Sequence, residues 1–160
     1  MIKVLFVCLG NICRSPLAEG VFRQKTIEQD VSHLFHVDSA GTASYHIGAL
    51  PDERSRAVVL KRGLELTHKA RAFSTNDFNE FNYIIAMDKN NLNNIKRLMP
   101  DDTDSKVILM RHFDLLAKDG EVPDPYYGDM KDFEQVYDIL NRSCDVMLGY
   151  LMDELSAAGK

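Results

Sequence analysis

Cys8-Leu9-Gly10-Asn11-Ile12-Cys13-Arg14-Ser15 stands between an apolar run, Val4-Leu5-Phe6-Val7, and a segment of helical character that opens with Pro16-Leu17-Ala18-Glu19. A thiol, five residues, an arginine and a serine therefore fall in a strand-to-helix turn. Such a turn aims several backbone N–H groups at one point, and the following helix adds the positive end of its dipole, so the place suits a tetrahedral oxyanion. Gly10 lets backbone approach closely, and Asn11 is one of the few non-glycine residues that tolerate a left-handed conformation. Ser15 fits an N-cap, with Pro16 at N1, the first helical position, where its missing N–H costs nothing. Thiols at helix N-termini and near arginine have pKa values lowered to about 3.5–7.5, which makes Cys8 a candidate nucleophile. Arg14 offers a planar fork that matches two phosphate oxygens. A lone cysteine would as readily end a buried strand, and a lone arginine begin a surface helix. The whole string favours the chemical reading.

Outward from this turn, strand and helix patterns alternate. Lys3 to Val7 reads as a buried parallel strand. Pro16 to about Glu28 reads as a helix with Leu17, Val21 and Ile27 on one side. Phe35 to Ser39 is a second strand, ending at Ala40-Gly41. A loop through Tyr45, Gly48 and Pro51 precedes a helix from about Asp52 to Arg62, stopped by Gly63. Tyr83 to Ala86 and Lys106 to Leu109 are the third and fourth strands, with a helix from about Asn90 to Leu98 between them. The last helix is the clearest, because Phe133, Val136, Tyr137, Leu140, Cys144, Met147, Leu148, Leu151 and Leu155 recur at spacings of three and four. Alternation of this kind predicts an α/β fold, a parallel sheet with helices on both faces. Ligands in such sheets bind beyond the carboxyl ends of the strands at the switch point, which is where Cys8 would lie if the first strand is the switch strand.

Length and composition set the limits. A chain of 160 residues, 45% hydrophobic and 27% charged, is expected to be one soluble domain over residues 1–160. The net charge of −5 argues against nucleic acid as a partner. Three cysteines, two of them in the turn, do not make a secreted disulfide framework. No apolar run approaches ~18 residues, so neither a leader nor a membrane span is expected, and a reducing, cytoplasmic setting follows. Neither a G-x4-G-K-[ST] phosphate loop, nor H-E-x-x-H, nor a clustered metal spacing is present, so no metal and no cofactor is expected.

Asp124 lies in Glu121-Val122-Pro123-Asp124-Pro125-Tyr126-Tyr127-Gly128, where two prolines and a glycine mark a defined loop. Taken alone, an aspartate before proline is a common turn element. Beside a thiolate nucleophile it gains a chemical role, because phenolate leaves poorly and a phosphorylated thiolate needs an activated water. One carboxyl group can serve both steps. Tyr45, Tyr126 and Tyr127 are loop aromatics that suit the walls of a slot for a phenyl ring, with Leu9 and Ile12 as its apolar floor.

The C-x5-R-S string resembles the signature loop of the protein tyrosine phosphatases, and its position at the N-terminus, with Asp124-Pro125-Tyr126-Tyr127 late in the chain, resembles the low-molecular-weight class. The resemblance spans essentially the whole chain. It implies a four-stranded doubly wound sheet in order 2-1-3-4, in three layers, and a metal-independent phosphotyrosine hydrolase working through a phosphocysteine. In that class Cys8 would be nucleophile, Arg14 the phosphate clamp and Asp124 the general acid and base. Leu9, Gly10, Asn11, Ile12, Cys13, Ser15, Tyr45 and Tyr126 would contact substrate or phosphate. Asn11, Ser15, Ser39 and His68 correspond to the hydrogen-bond network beneath the loop, and Asp88 would fix the loops or cap a helix. From sequence alone His68 is a structural histidine, and the resemblance agrees.

Cys13 reads either as a small packing residue or as a resolving thiol that captures oxidised Cys8 in a disulfide, a pair the family often has. Tyr126-Tyr127 resembles the tandem tyrosines phosphorylated in eukaryotic members, and with Tyr45 places the chain nearer that subgroup than the bacterial polysaccharide-export one. Expected partners are phosphotyrosine proteins as substrates, no nucleic acid, no membrane, and at most a weak homodimer. Rival readings are weaker. Arsenate reductases of similar loop need later reactive cysteines, whereas only Cys144, on a helix face, remains here. Arginine-phosphate phosphatases tend to carry threonine where Ile12 stands. A phosphotyrosine-binding module without turnover would be expected to lose Cys8, Arg14 or Asp124. A pure redox sensor using Cys8 and Cys13 predicts no turnover.

Overall fold

The computed structural model describes residues 1–159. Four parallel strands form one sheet: β1 (Ile2–Cys8), β2 (Phe35–Gly41), β3 (Tyr83–Ala86) and β4 (Lys106–Leu109), in spatial order β2-β1-β3-β4. This is the expected 2-1-3-4 order. The helices are α1 (Ser15–Glu28), α2 (Glu53–Leu60), α3 (Asp77–Glu80), α4 (Lys89–Arg97) and α5 (Met130–Ala158).

The period of two in β1 feeds two separate cores. Val4, Phe6 and Cys8 face the larger one, packed by Leu17, Val21 and Phe22 of α1, Val58 and Val59 of α2, and the apolar stripe of α5. Leu5 and Val7 face the other, packed by Phe78 of α3, Phe81, Ile84, Ala86 and Ile95 of α4. Helices on both faces leave Val4 to Cys8 no solvent-facing side, which is why this part of β1 reads as an unbroken apolar run, while Lys3 near its start stays partly exposed. β1 sits between β2 and β3, so consecutive connections leave it in opposite directions and open a crevice at its carboxyl end. Cys8 ends that strand.

Strands β3 and β4 begin and end where the sequence places them, and the helix ends move by one or two residues. Two expectations need correction. Ile27 is 53% exposed and does not share the buried side of Leu17 and Val21. One hundred degrees per residue carries position 27 well round from 17 and 21, toward solvent. Ser15 is not the N-cap of α1: Arg14 holds that position without a side-chain cap, and Ser15 lies inside the helix with its hydroxyl engaged beneath the turn. The short helix α3, and the 3-10 turns at Ser32–Leu34 and Met110–Phe113, give no periodic signal because each is about one turn long. Among the described residues no helix is long and apolar enough to cross a membrane.

Candidate active site

The turn after β1 is held from outside through its carbonyls. Thr42 N–H donates to Cys8 O, Ala43 N–H to Leu9 O, Asp52 N–H to Ile12 O and the Ser55 hydroxyl to Cys13 O. Among the described residues, no protein group accepts from the backbone N–H groups of Gly10 to Arg14. Carbonyls tied outward and N–H groups left to converge are what an anion site requires. Asn11 provides the reversal, with φ of 56°. Its side chain is fully used. Nδ2 donates to Ser15 Oγ at 2.8 Å and Ser39 Oγ at 3.0 Å, while Oδ1 accepts from His68 Nε2 at 2.8 Å and Arg71 N–H at 3.0 Å. Gly41, at the end of β2, allows the close approach: a Cβ there would lie 2.8 Å from Leu9 O and 3.1 Å from Asn11 N.

Beneath the turn, Ser39 Oγ donates to Glu19 Oε1 at 2.7 Å. His68 Nδ1 lies 3.3 Å from Glu19 Oε1 and 3.3 Å from Asp38 Oδ1, so each ring nitrogen faces an acceptor. Glu19, Asp38 and His68 bring their ligand atoms within 4.8 Å of one another. The carboxylates are already engaged, Glu19 by Ser39 and Arg23 and Asp38 by Arg71, so the cluster reads as a loop-setting network rather than a vacant metal centre. Glu19 and Asp38 had no sequence signal of their own. Glu19 follows Ser15 by one helical turn, and Asp38 adjoins Ser39 on β2.

Cys8 Sγ, in a residue only 2% exposed, shares a hydrogen bond of 3.0 Å with Ser15 Oγ. Ser15 Oγ accepts from Asn11 and keeps one proton to offer sulfur or, at 3.4 Å, Ala40 O. Arg14 has a side chain 3% exposed. Its Nη1 donates to Asp88 Oδ2 at 2.7 Å and to Val122 O at 3.0 Å, and its Nη2 lies 3.7 Å from Asp124 Oδ2. Burial alone would lower the guanidinium pKa, but the Cys8 charge, the Asp88 hydrogen bond and the Asp124 charge together raise it. The cation is therefore permanent. Asp88 both anchors Arg14 and caps α4, accepting from Asn91 N–H at 2.7 Å. Asp124, its side chain 42% exposed on the opposite lip, accepts from Tyr126 N–H at 3.1 Å.

One slot is lined by Cys8, Leu9, Gly10, Ile12, Cys13, Arg14, Tyr45, His46, Asp124, Tyr126 and Tyr127. The structure thus brings together the expected nucleophile, clamp, acid and aromatic walls, and sets Asn11, Ser15, Ser39 and His68 underneath, with Asp88 behind Arg14. Cys13 carries a free thiol whose pKa is raised, first by burial and then by the charges of Asp52, Cys8 and Asp124.

Sequence reasoning missed one wall residue, His46, and one residue that supports the wall, Arg54. The His46 ring lies over Gly10, where an added Cβ would meet its Cδ2 at 3.0 Å, and it stands 6.4 Å from Tyr45 and 6.1 Å from Tyr126, centroid to centroid. Arg54 pairs with Asp52, the cap of α2, and donates to Tyr126 O and Gly128 O, each at 2.9 Å. It stacks 4.4 Å from the Phe133 ring and so joins the two sides of the slot. Its signal was visible only as Asp-x-Arg at a helix start.

A buried cysteine beneath converging N–H groups, beside a buried arginine and across from a loop aspartate, defines a site for phosphoryl transfer through sulfur. The family model for low molecular weight phosphotyrosine protein phosphatase matches residues 3–157. Among curated relatives, the Gallus gallus low molecular weight phosphotyrosine protein phosphatase is 44% identical over 148 residues, 91% of this chain and 93% of the relative. The Schizosaccharomyces pombe protein of that description is 45% identical over 137 residues, 85% and 88% of the two chains. Among solved structures, a protein tyrosine phosphatase from Entamoeba histolytica superposes with a TM-score of 0.92 at 40% identity, covering 96% of this chain and 99% of that one. The chain belongs to the low molecular weight phosphotyrosine protein phosphatase family.

Proposed function

We propose that this phosphatase hydrolyses phosphotyrosine in proteins through a phosphocysteine on Cys8, with Arg14 as phosphate clamp and Asp124 as general acid and then base. The observation that carries this reading is the placement of Cys8 Sγ, the Arg14 fork and the Asp124 carboxyl around one aromatic-walled slot. Sulfur at the floor attacks phosphorus in line. The phosphorus–aryl oxygen bond breaks, its electron pair goes to the phenolic oxygen, and Asp124 on the lip supplies the proton. Water then attacks phosphorus, Asp124 takes its proton, and the sulfur–phosphorus bond breaks to return the thiolate and inorganic phosphate. Arg14 and the N–H groups of the turn hold the equatorial oxygens, so the protein contributes mainly position and charge.

Depth supports the substrate class. Cys8 is buried while Tyr45 and Tyr127 rim the mouth in the open, so a phosphate must be carried down on a flat spacer flanked by rings. A phenyl ring provides that spacer, and the single methylene of a phosphoserine does not. The test is turnover of phosphotyrosine and phosphoserine peptides in excess EDTA. Release of phosphate from the tyrosine peptide alone is expected. Equal turnover of both, or loss of activity in EDTA, would contradict the proposal.

A further inference from the structure

Asp114 is fully buried, yet it is not among the residues that line the slot, and sequence reading gave it no role. It accepts four hydrogen bonds: from Arg111 Nε at 2.9 Å, Arg142 Nε at 2.9 Å, Arg142 Nη2 at 3.0 Å and Leu116 N–H at 3.0 Å. A carboxylate with its lone pairs filled in this way, between two cations, is a rigid node, and these partners outweigh burial to hold its pKa down to about 2. Arg142 comes from α5. Arg111 comes from the turn after β4, and it does more than pair with Asp114. Its Nη1 donates to Glu121 O at 2.8 Å, and its own carbonyl accepts from Asp119 N–H at 2.9 Å and Asp114 N–H at 3.1 Å. One residue therefore ties the beginning, middle and end of the loop that leads to the proton donor.

The two residues before Pro123 are fixed as tightly. Lys89 N–H donates to Glu121 Oε2 at 2.8 Å, Val122 N–H donates to Met87 O at 2.9 Å, and Val122 O accepts from Arg14. Asp124 follows two residues on, its Oδ2 3.7 Å from Arg14 Nη2. We infer that Arg111, locked by Asp114 and Arg142, is a positioning residue that sets Asp124 at the height where its proton meets the leaving oxygen. The inference rests on the reading of Asp124 as general acid. Arg111 meets Asp114 and Glu121 O with two different nitrogens of one rigid plane, and lysine, whose donors share a single atom on a flexible stem, cannot reproduce that fixed span. The backbone at Glu121 would then be free to shift, and misplacement of a reacting group by an ångström costs up to about 10²-fold.

The test is a double-mutant cycle of Arg111→Lys and Asp124→Asn, read in single-turnover rates of the first chemical step with phenyl phosphate and with an activated aryl phosphate. Arg111→Lys is expected to slow phenyl phosphate by about tenfold and the activated ester far less. It should leave the inhibition constant for inorganic phosphate within about twofold, since phosphate is held by Arg14 and the turn. In the Asp124→Asn background the same change should cost nothing further. A loss that is equal for both esters, or that adds in full to Asp124→Asn, overturns the inference, as does no loss at all. Should Arg111→Lys fail to fold, Arg142→Lys, which weakens the same node from the surface of α5, is read by the same criteria. Failure of the Asp124 reading itself is separable, because Asp124→Asn alone would then slow both esters by one factor.

Discussion

Arg14 is a buried cation wedged between the nucleophile and two carboxylates, and its shape matters as much as its charge. Nη1 is committed to Asp88 and Val122 O, so the guanidinium plane is set before any phosphate arrives. Arg14→Lys keeps the charge and loses the plane. We expect kcat/KM to fall at least ~10²-fold, the scale on which removal of one preorganised donor acts. A lysine variant within a few-fold of wild type would show that charge alone suffices. Cys13 makes a second test at this scale. Peroxide converts the Cys8 thiolate to sulfenic acid, and attack by the Cys13 thiol would expel water and close a disulfide. Burial and nearby negative charge keep Cys13 protonated, so closure should speed up as pH rises. Recovery by a thiol reductant should be poorer in Cys13→Ser. Absence of a Cys8–Cys13 peptide after mild oxidation at every pH would remove the idea.

At the scale of elements, the loop from Glu121 to Gly128 is a short span held at both ends, by Arg111 on one side and Arg54 on the other. The box of Asp129 and Asp132, each accepting from the other's backbone, then starts α5. A general acid matters in proportion to how badly the leaving group needs a proton. Asp124→Asn should therefore slow the first step with phenyl phosphate by about 10²–10⁴-fold, and less as the leaving group's pKa falls. The same factor across a series of aryl phosphates would show that Asp124 is not the donor.

Legibility followed the same boundary between elements and loops. Strands β3 and β4 were readable to the residue, because four residues are too few for a helix of ordinary length and the β-branched Ile84, Ile85, Val107 and Ile108 favour a strand. The turn at Cys8–Ser15 was readable because its residue types are jointly improbable for any other purpose. Ser15 was misread as a cap, since a serine before proline looks the same whether its hydroxyl serves the helix or a network below it. Glu19, Asp38, His46, Arg54, Arg111 and Asp114 acquire meaning only from contacts between distant segments, and no local pattern encodes those.

Across the whole molecule, the buried node at Asp114 joins the turn after β4 to α5 and so couples the acid loop's support to stability. Its carboxyl is held at about 2, below an ordinary aspartate near ~4, so its contribution is present above about pH 4 and is lost as pH falls toward 2. That contribution is worth roughly 2 kcal/mol. The difference in Tm between wild type and Asp114→Asn should be largest near neutrality and shrink between about pH 4 and 2. A difference that stays constant through this range would mean the folded-state ionisation contributes nothing.

The central claim is that phosphate passes through sulfur, and the fold supports it by ending the central strand at Cys8 in the crevice where the sheet's connections diverge. The measurement that bears on it most directly is acid quenching during turnover of an aryl phosphate, followed by mass spectrometry of the peptide that contains Cys8. With an activated aryl phosphate, whose leaving group hardly needs a proton, the account predicts one phosphoryl group on Cys8 in wild type, more of it in Asp124→Asn, where breakdown lacks its base, and none in Cys8→Ser. A phosphoryl group on another residue, or catalysis in Cys8→Ser within ~10-fold of wild type, where a thiolate-dependent mechanism predicts far less, would contradict it.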